Sequence, residues 1–112
     1  MKRVGSAKTK NVQSRRVGLA QAVVASAFGV ALEEMHTRTR TKPAQEARQL
    51  ATYLARVVFD ISLRELARET GRSPGTAFYA CKQVENRREK PEFDRTVDFL
   101  EHQLRAAAGV SL

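Results

Sequence analysis

Residues 62–88 read SLRELARETGRSPGTAFYACKQVENRR. Ser62 followed by Glu65 is a capping box, so a helix is expected from Leu63. Leu63, Leu66 and Ala67 share its inward face. Gly71 ends it after roughly two turns, because a glycine takes a left-handed backbone without steric penalty. Ser73 then offers an N-capping hydroxyl and Pro74 a first-turn residue that loses no hydrogen bond, so a second helix opens at once. Ala77, Ala80, Cys81, Val84 and Arg88 recur at helical spacing until Pro91 stops the run. Two helices joined by three or four residues that include a Gly form a helix-turn-helix. So short a turn fixes the crossing angle and pushes the N-terminus of the second helix outward.

Upstream of this unit, Val17, Ala20, Val24, Ala27 and Phe28 form one helical stripe from Ser14, closed by Gly29. Residues 30–35, VALEEM, read as a further turn or two of helix. HTRTRTKP (36–43) alternates Arg38, Arg40 and Lys42 with threonines, reads as a loop with Lys42 extended before Pro43, and gives way to a helix at Ala44. That helix carries Ala47, Leu50, Ala51, Leu54, Val57 and Val58 until Phe59–Ile61. Downstream, Phe93, Val97, Leu100 and Leu104 mark a last amphipathic helix. No strand pattern survives, so the expected fold is all-α, five or six helices around a central helix-turn-helix. The expected organisation is a basic flexible arm over 1–12, a helical domain over 13–106 and a loose tail over 107–112.

The 112 residues hold 20 Lys/Arg against 12 Asp/Glu, a net charge of +8. Residues 1–42 carry nine Lys/Arg and two Glu, whereas residues 92–112 carry two Lys/Arg against four Asp/Glu. An excess of this kind suits an anionic partner. One cysteine excludes an internal disulfide framework and suits a reducing cytoplasm. No apolar run approaches membrane length, so no membrane partner is expected. Without tryptophan and with 6% aromatics, stacking along single strands has little to work with. His36 and His102 have no Cys or carboxylate at ligand spacing, Cys81 falls on an inward face, and the acidic residues read as caps or solvated helix faces. Neither an enzyme, a metal nor a cofactor is expected.

A protruding helix N-terminus has unpaired N–H groups and a positive dipole end, which suit phosphate. In helix-turn-helix proteins the start of the second helix reaches base edges in the major groove. Outward positions there are Gly75, Thr76, Tyr79, Lys82, Gln83 and Asn86. Thr76 can bond a base or touch a thymine methyl, Gln83 and Asn86 can pair with adenine, and Lys82 can meet a phosphate or guanine. The Arg/Thr segment suits a minor groove, because narrow grooves attract arginine. Arg48 and Gln49 open the next helix within reach of the same surface.

From about Val23 to Glu89 the chain resembles domain IV of the bacterial replication initiator DnaA, a Trp-repressor-like helix-turn-helix that binds DNA. FGVALEEM, RTRTKPAQEARQLATYLAR, SLRELARETG and FYACKQVE carry the match. The resemblance implies a minor-groove arginine at Arg40, an Arg-Gln pair near DNA at Arg48 and Gln49, and backbone contacts at Leu63 and Arg64. It also implies base contacts at Arg72 and Thr76. The chain departs from the family signature at Ser73, Pro74 and Gly75, where Asp, His and Thr are usual. Pro74 and Gly75 donate no specific side-chain bonds, so Thr76, Tyr79 and their neighbours must read more.

The resulting expectation is a sequence-preferring double-stranded DNA-binding transcriptional regulator, an activator, that contacts DNA through Arg38, Arg40, Lys42, Arg48, Gln49, Leu63, Arg64, Arg72, Ser73, Thr76, Tyr79, Lys82 and Gln83. RNA polymerase or a co-regulator is the expected protein partner, the nucleoid the expected location, and some activators of gene transfer agent clusters look similar. No G-x-x-x-x-G-K-[ST] loop occurs, so no nucleotide site is expected. Three rivals stand beside this reading: a non-specific architectural DNA-binding protein, a protein-interaction module, and a competitor of the initiator at its own sites.

Overall fold

The computed structural model describes residues 3–37 and 41–109, with the backbone alone for 3–11. Five α-helices and one 3₁₀ turn make up these residues: α1 (Arg3–Phe28), the 3₁₀ turn (Leu32–Met35), α2 (Lys42–Phe59), α3 (Leu63–Thr70), α4 (Pro74–Arg87) and α5 (Pro91–Ala108). Among the described residues there is no strand, and no helix is long and apolar enough to cross a membrane.

The centre is α2. Its inner face alternates alanines (Ala44, Ala47, Ala51, Ala55) with Leu50, Leu54 and Val58, all buried. Small residues let neighbouring backbones approach, and the large ones fill the space between them. Around it pack α1, α3, α4 and α5. Val17, Ala20 and Val24 of α1, Val84 of α4, and Val97, Leu100 and Leu104 of α5 complete one continuous core. Each fully buried Leu or Val contributes about 1.5–3 kcal/mol relative to exposure. Hydrogen bonds from Gln13 Nε2 to Glu65 (3.4 Å) and from Ser14 Oγ to Glu69 (2.7 Å) fasten α1 to α3.

Several expectations are corrected. α1 begins at Arg3 rather than Ser14, so the basic stretch through Val12 is helical backbone from Arg3 on. A helix that continues past its packed portion needs no apolar stripe there, and periodicity cannot find it. Ala25 is buried in α1, whereas Ala27, assigned to the stripe, is exposed. The 30–35 segment forms a 3₁₀ turn that buries only Met35. Lys42 and Pro43 belong to the first turn of α2 and do not close a loop. The extended residue is Thr41, and the ladder opens with Gln45 N–H donating to the Thr41 carbonyl. Proline is tolerated there because a first-turn N–H has no helical acceptor to lose. Val57 is partly exposed at the edge of α2, and Phe93 is half-buried.

Candidate nucleic-acid interface

Local chemistry sets the helix-turn-helix. Ser62 Oγ accepts from the Glu65 N–H at 3.1 Å while the Glu65 carboxylate accepts from the Ser62 N–H, closing the capping box that starts α3. α3 ends at Gly71 with φ of +70°, and the N–H groups of Gly71 and Arg72 both donate to the Ala67 carbonyl. Ser73 then caps α4: its Oγ accepts from the Thr76 N–H at 3.1 Å and lies 3.0 Å from Thr76 Oγ1. Ala77, Ala80, Cys81 and Val84 bury one side of α4. Burial pushes the Cys81 thiol above its ordinary pKa, with Arg56 opposing and Glu85 adding to it, as expected of a packed small hydrophobe rather than a nucleophile.

The outer side of α4 carries Gly75, Thr76, Tyr79, Lys82 and Asn86, all exposed, with Gln83 partly so. Gln83 Nε2 donates to the Tyr79 hydroxyl at 2.9 Å, which pins the phenol ring. A cleft of about 140 Å³ runs beside the first turns of α4 and brings together Arg48, Gln49, Arg72, Thr76 and Tyr79. Two arginines shape it. Arg48 Nη1 donates to the Glu34 carbonyl at 2.9 Å, and Arg72 Nη2 donates to the Thr37 carbonyl at 3.1 Å. Both therefore strap the segment before the basic loop onto the helical body. Burial lowers the pKa of Arg48, the neighbouring Arg72 charge lowers it further, and Glu34 opposes this in part. Two like charges this close favour an incoming anion.

The remaining described candidates are not among the residues that line this cleft. Lys42 is exposed at the start of α2, Leu63 half-buried and Arg64 exposed at the start of α3, and Lys82 and Gln83 sit further along α4. Arg38 and Arg40 lie outside the described residues. Ser73 is engaged as the expected cap, and Arg72 as a strap, a duty that the spacing did not predict.

Three features of this part of the molecule were not read from the sequence. Met35 is buried and lines the cleft, signalled only by one apolar residue in EEMHT. Phe78 is 54% exposed on α4. Arg88, assigned merely to a helical stripe, gathers Asp94, Asp98 and Glu101 of α5 together with the Tyr53 hydroxyl. Burial alone would lower its pKa, but the hydrogen bonds to Asp94, Tyr53 and Asp98 outweigh that and raise it. The i, i+4, i+7 spacing of Asp94, Asp98 and Glu101 was the available signal.

A short turn, a capped second helix with one side buried, and a cationic cleft beside its outer side define a DNA-binding helix-turn-helix domain. A family model described as the bacterial dnaA protein helix-turn-helix matches residues 18–84. The chain belongs to that family. The chromosomal replication initiator protein DnaA of Thermodesulfovibrio yellowstonii is 36% identical over 84 residues, 73% of this chain and 19% of that protein. DnaA of Anaplasma marginale is 37% identical over 70 residues, 62% of this chain and 15% of that protein. The chain thus spans about a fifth or less of the length of these relatives. A crystal structure of a DNA replication initiation factor matches with a TM-score of 0.80 and 31% identity, over 89% of this chain and 31% of that one.

Proposed function

We propose that this chain is a sequence-preferring double-stranded DNA-binding transcriptional regulator, acting as an activator. Residues 13–106 are the binding domain, with 1–12 as its basic extension and 107–112 as its tail. α4 enters a major groove, where Arg72, Thr76, Tyr79, Lys82 and Gln83 face base edges or phosphates and Ser73 holds the first turn in shape. Arg38 and Arg40 enter the adjacent minor groove, while Lys42, Arg48, Gln49, Leu63 and Arg64 lie along the backbone. RNA polymerase or a co-regulator is the protein partner and the nucleoid the place of action.

One observation carries this reading: Arg72, in the turn before α4, holds the Thr37 carbonyl at 3.1 Å. Thr37, just before the Arg/Thr segment, and the start of α4 are therefore neighbours, which supports joint contact with one duplex. The DnaA relationship and the cationic N-terminal third support the same conclusion.

The test is competition of a selected duplex against random duplex, with Arg40→Ala alongside. The expected specificity ratio exceeds about tenfold. Arg40→Ala is expected to weaken binding by about 1–2 kcal/mol and relax any A·T preference under the loop. A ratio below about tenfold would favour the architectural reading, and an unchanged affinity and footprint for Arg40→Ala would remove the loop from the mechanism.

A further inference from the structure

The first turn of α4 is poor in available hydrogen-bonding side chains. Pro74 and Gly75 offer none from their side chains. The Thr76 hydroxyl sits 3.0 Å from Ser73 Oγ, and the Tyr79 hydroxyl accepts from Gln83. What the helix does present is aromatic surface: Phe78 is 54% exposed and Tyr79 is 57% exposed. On a helix these rings lie three and four residues beyond Gly75, so all three share one patch of surface. A methyl group built on Gly75 would meet only Ser73 Oγ, at 3.8 Å, so the space beside the rings is open. Lys82 stands three residues beyond Tyr79 and four beyond Phe78, and is exposed. The patch is thus open surface with two aromatic rings and a cation at its edge.

In the major groove, the thymine 5-methyl group is the apolar feature that distinguishes base pairs. We propose that Phe78 and Tyr79 read thymine through this methyl group, with Phe78 the specificity-determining residue that the outward hydrogen-bonding positions left out. The inference rests on the DNA-binding reading above. The adjacent Lys82 suits a phosphate-lined groove better than an apolar protein surface. Methyl contact adds to the hydrogen bonds that Arg72, Lys82 and Gln83 can make, and it suits a first turn containing Pro74 and Gly75.

The experiment begins with duplexes enriched from a random pool by the unmodified protein. Each thymine in turn is then replaced by deoxyuridine, which removes the methyl group and leaves the pairing edge intact. One or two positions should lose about fourfold in affinity, the scale of burying one methyl group. Phe78→Ala should show a similar loss on the thymine duplex and become indifferent to deoxyuridine at one of those positions, with its thermal melt unchanged because Phe78 is exposed. Affinity of the unmodified protein unaltered by every deoxyuridine overturns the inference without any variant. Full discrimination retained by Phe78→Ala overturns the assignment to that ring. Failure to enrich any duplex overturns the DNA-binding reading itself, and this inference with it.

Discussion

Arg88 ties three helices together. Its guanidinium joins the end of α4 to Asp94, Asp98 and Glu101 on α5 and to Tyr53 on α2, with only a fifth of the side chain exposed. Removing it leaves three carboxylates facing one another with no cation between them. Exposed ion pairs contribute little, but a partly buried, multiply bonded arginine contributes more. Arg88→Ala should therefore lower unfolding stability by about 2 kcal/mol in urea titration at neutral pH. Arg88→Lys should recover only part of that, because an ammonium cannot serve several acceptors in the same fork geometry. A loss below about 0.5 kcal/mol for the alanine variant would show that the cluster is solvated and contributes no more than ordinary surface pairs.

At the scale of the elements, turn chemistry was the legible part of the sequence. Ser62 with Glu65, Gly71, and Ser73 with Pro74 each name a backbone event that local bonding dictates: α3 starts and stops, and α4 starts, where those residues require, whereas α4 ends at Arg87, before the Pro91 expected to stop it. The two glycines of this unit separate conformation from packing. Neither has a close neighbour where a Cβ would stand, but Gly71 has φ of +70° and Gly75 has no such constraint. Gly71→Ala should cost about 1 kcal/mol in strain, whereas Gly75→Ala should stabilise α4 by about 0.5 kcal/mol through helix propensity. Thermal melts of the two variants should thus move in opposite directions, and a shared sign would contradict the assignment of Gly71 as a purely conformational requirement. Less was legible where contacts are long-range. The early start of α1 carries no burial pattern, and the cleft forms only when Met35, Arg48, Arg72 and Tyr79 arrive from four different segments. Spacing along a chain reports which face a residue occupies, not which distant carbonyl its guanidinium will reach, and so the Arg72 strap to Thr37 was invisible.

Taken whole, the described residues form an α2-centred bundle in which the start of α4 lies beside the Arg72–Thr37 contact. The core stabilises this arrangement and the charge suits it to a polyanion: α5 and the 92–112 segment carry net negative charge, and residues 1–42 most of the positive excess. The account therefore assigns the duplex to the α4 side and leaves α5 in solvent. Photo-crosslinking tests this most directly, with a benzophenone side chain placed at Thr76 in one protein and at Phe99 of α5, which is 60% exposed, in another. Each protein is irradiated with the same bound duplex near physiological salt. The account predicts a strong protein–DNA crosslink from position 76 and background yield from position 99. Equal yields from both positions, or none from position 76 under conditions where the duplex is retained, would contradict it.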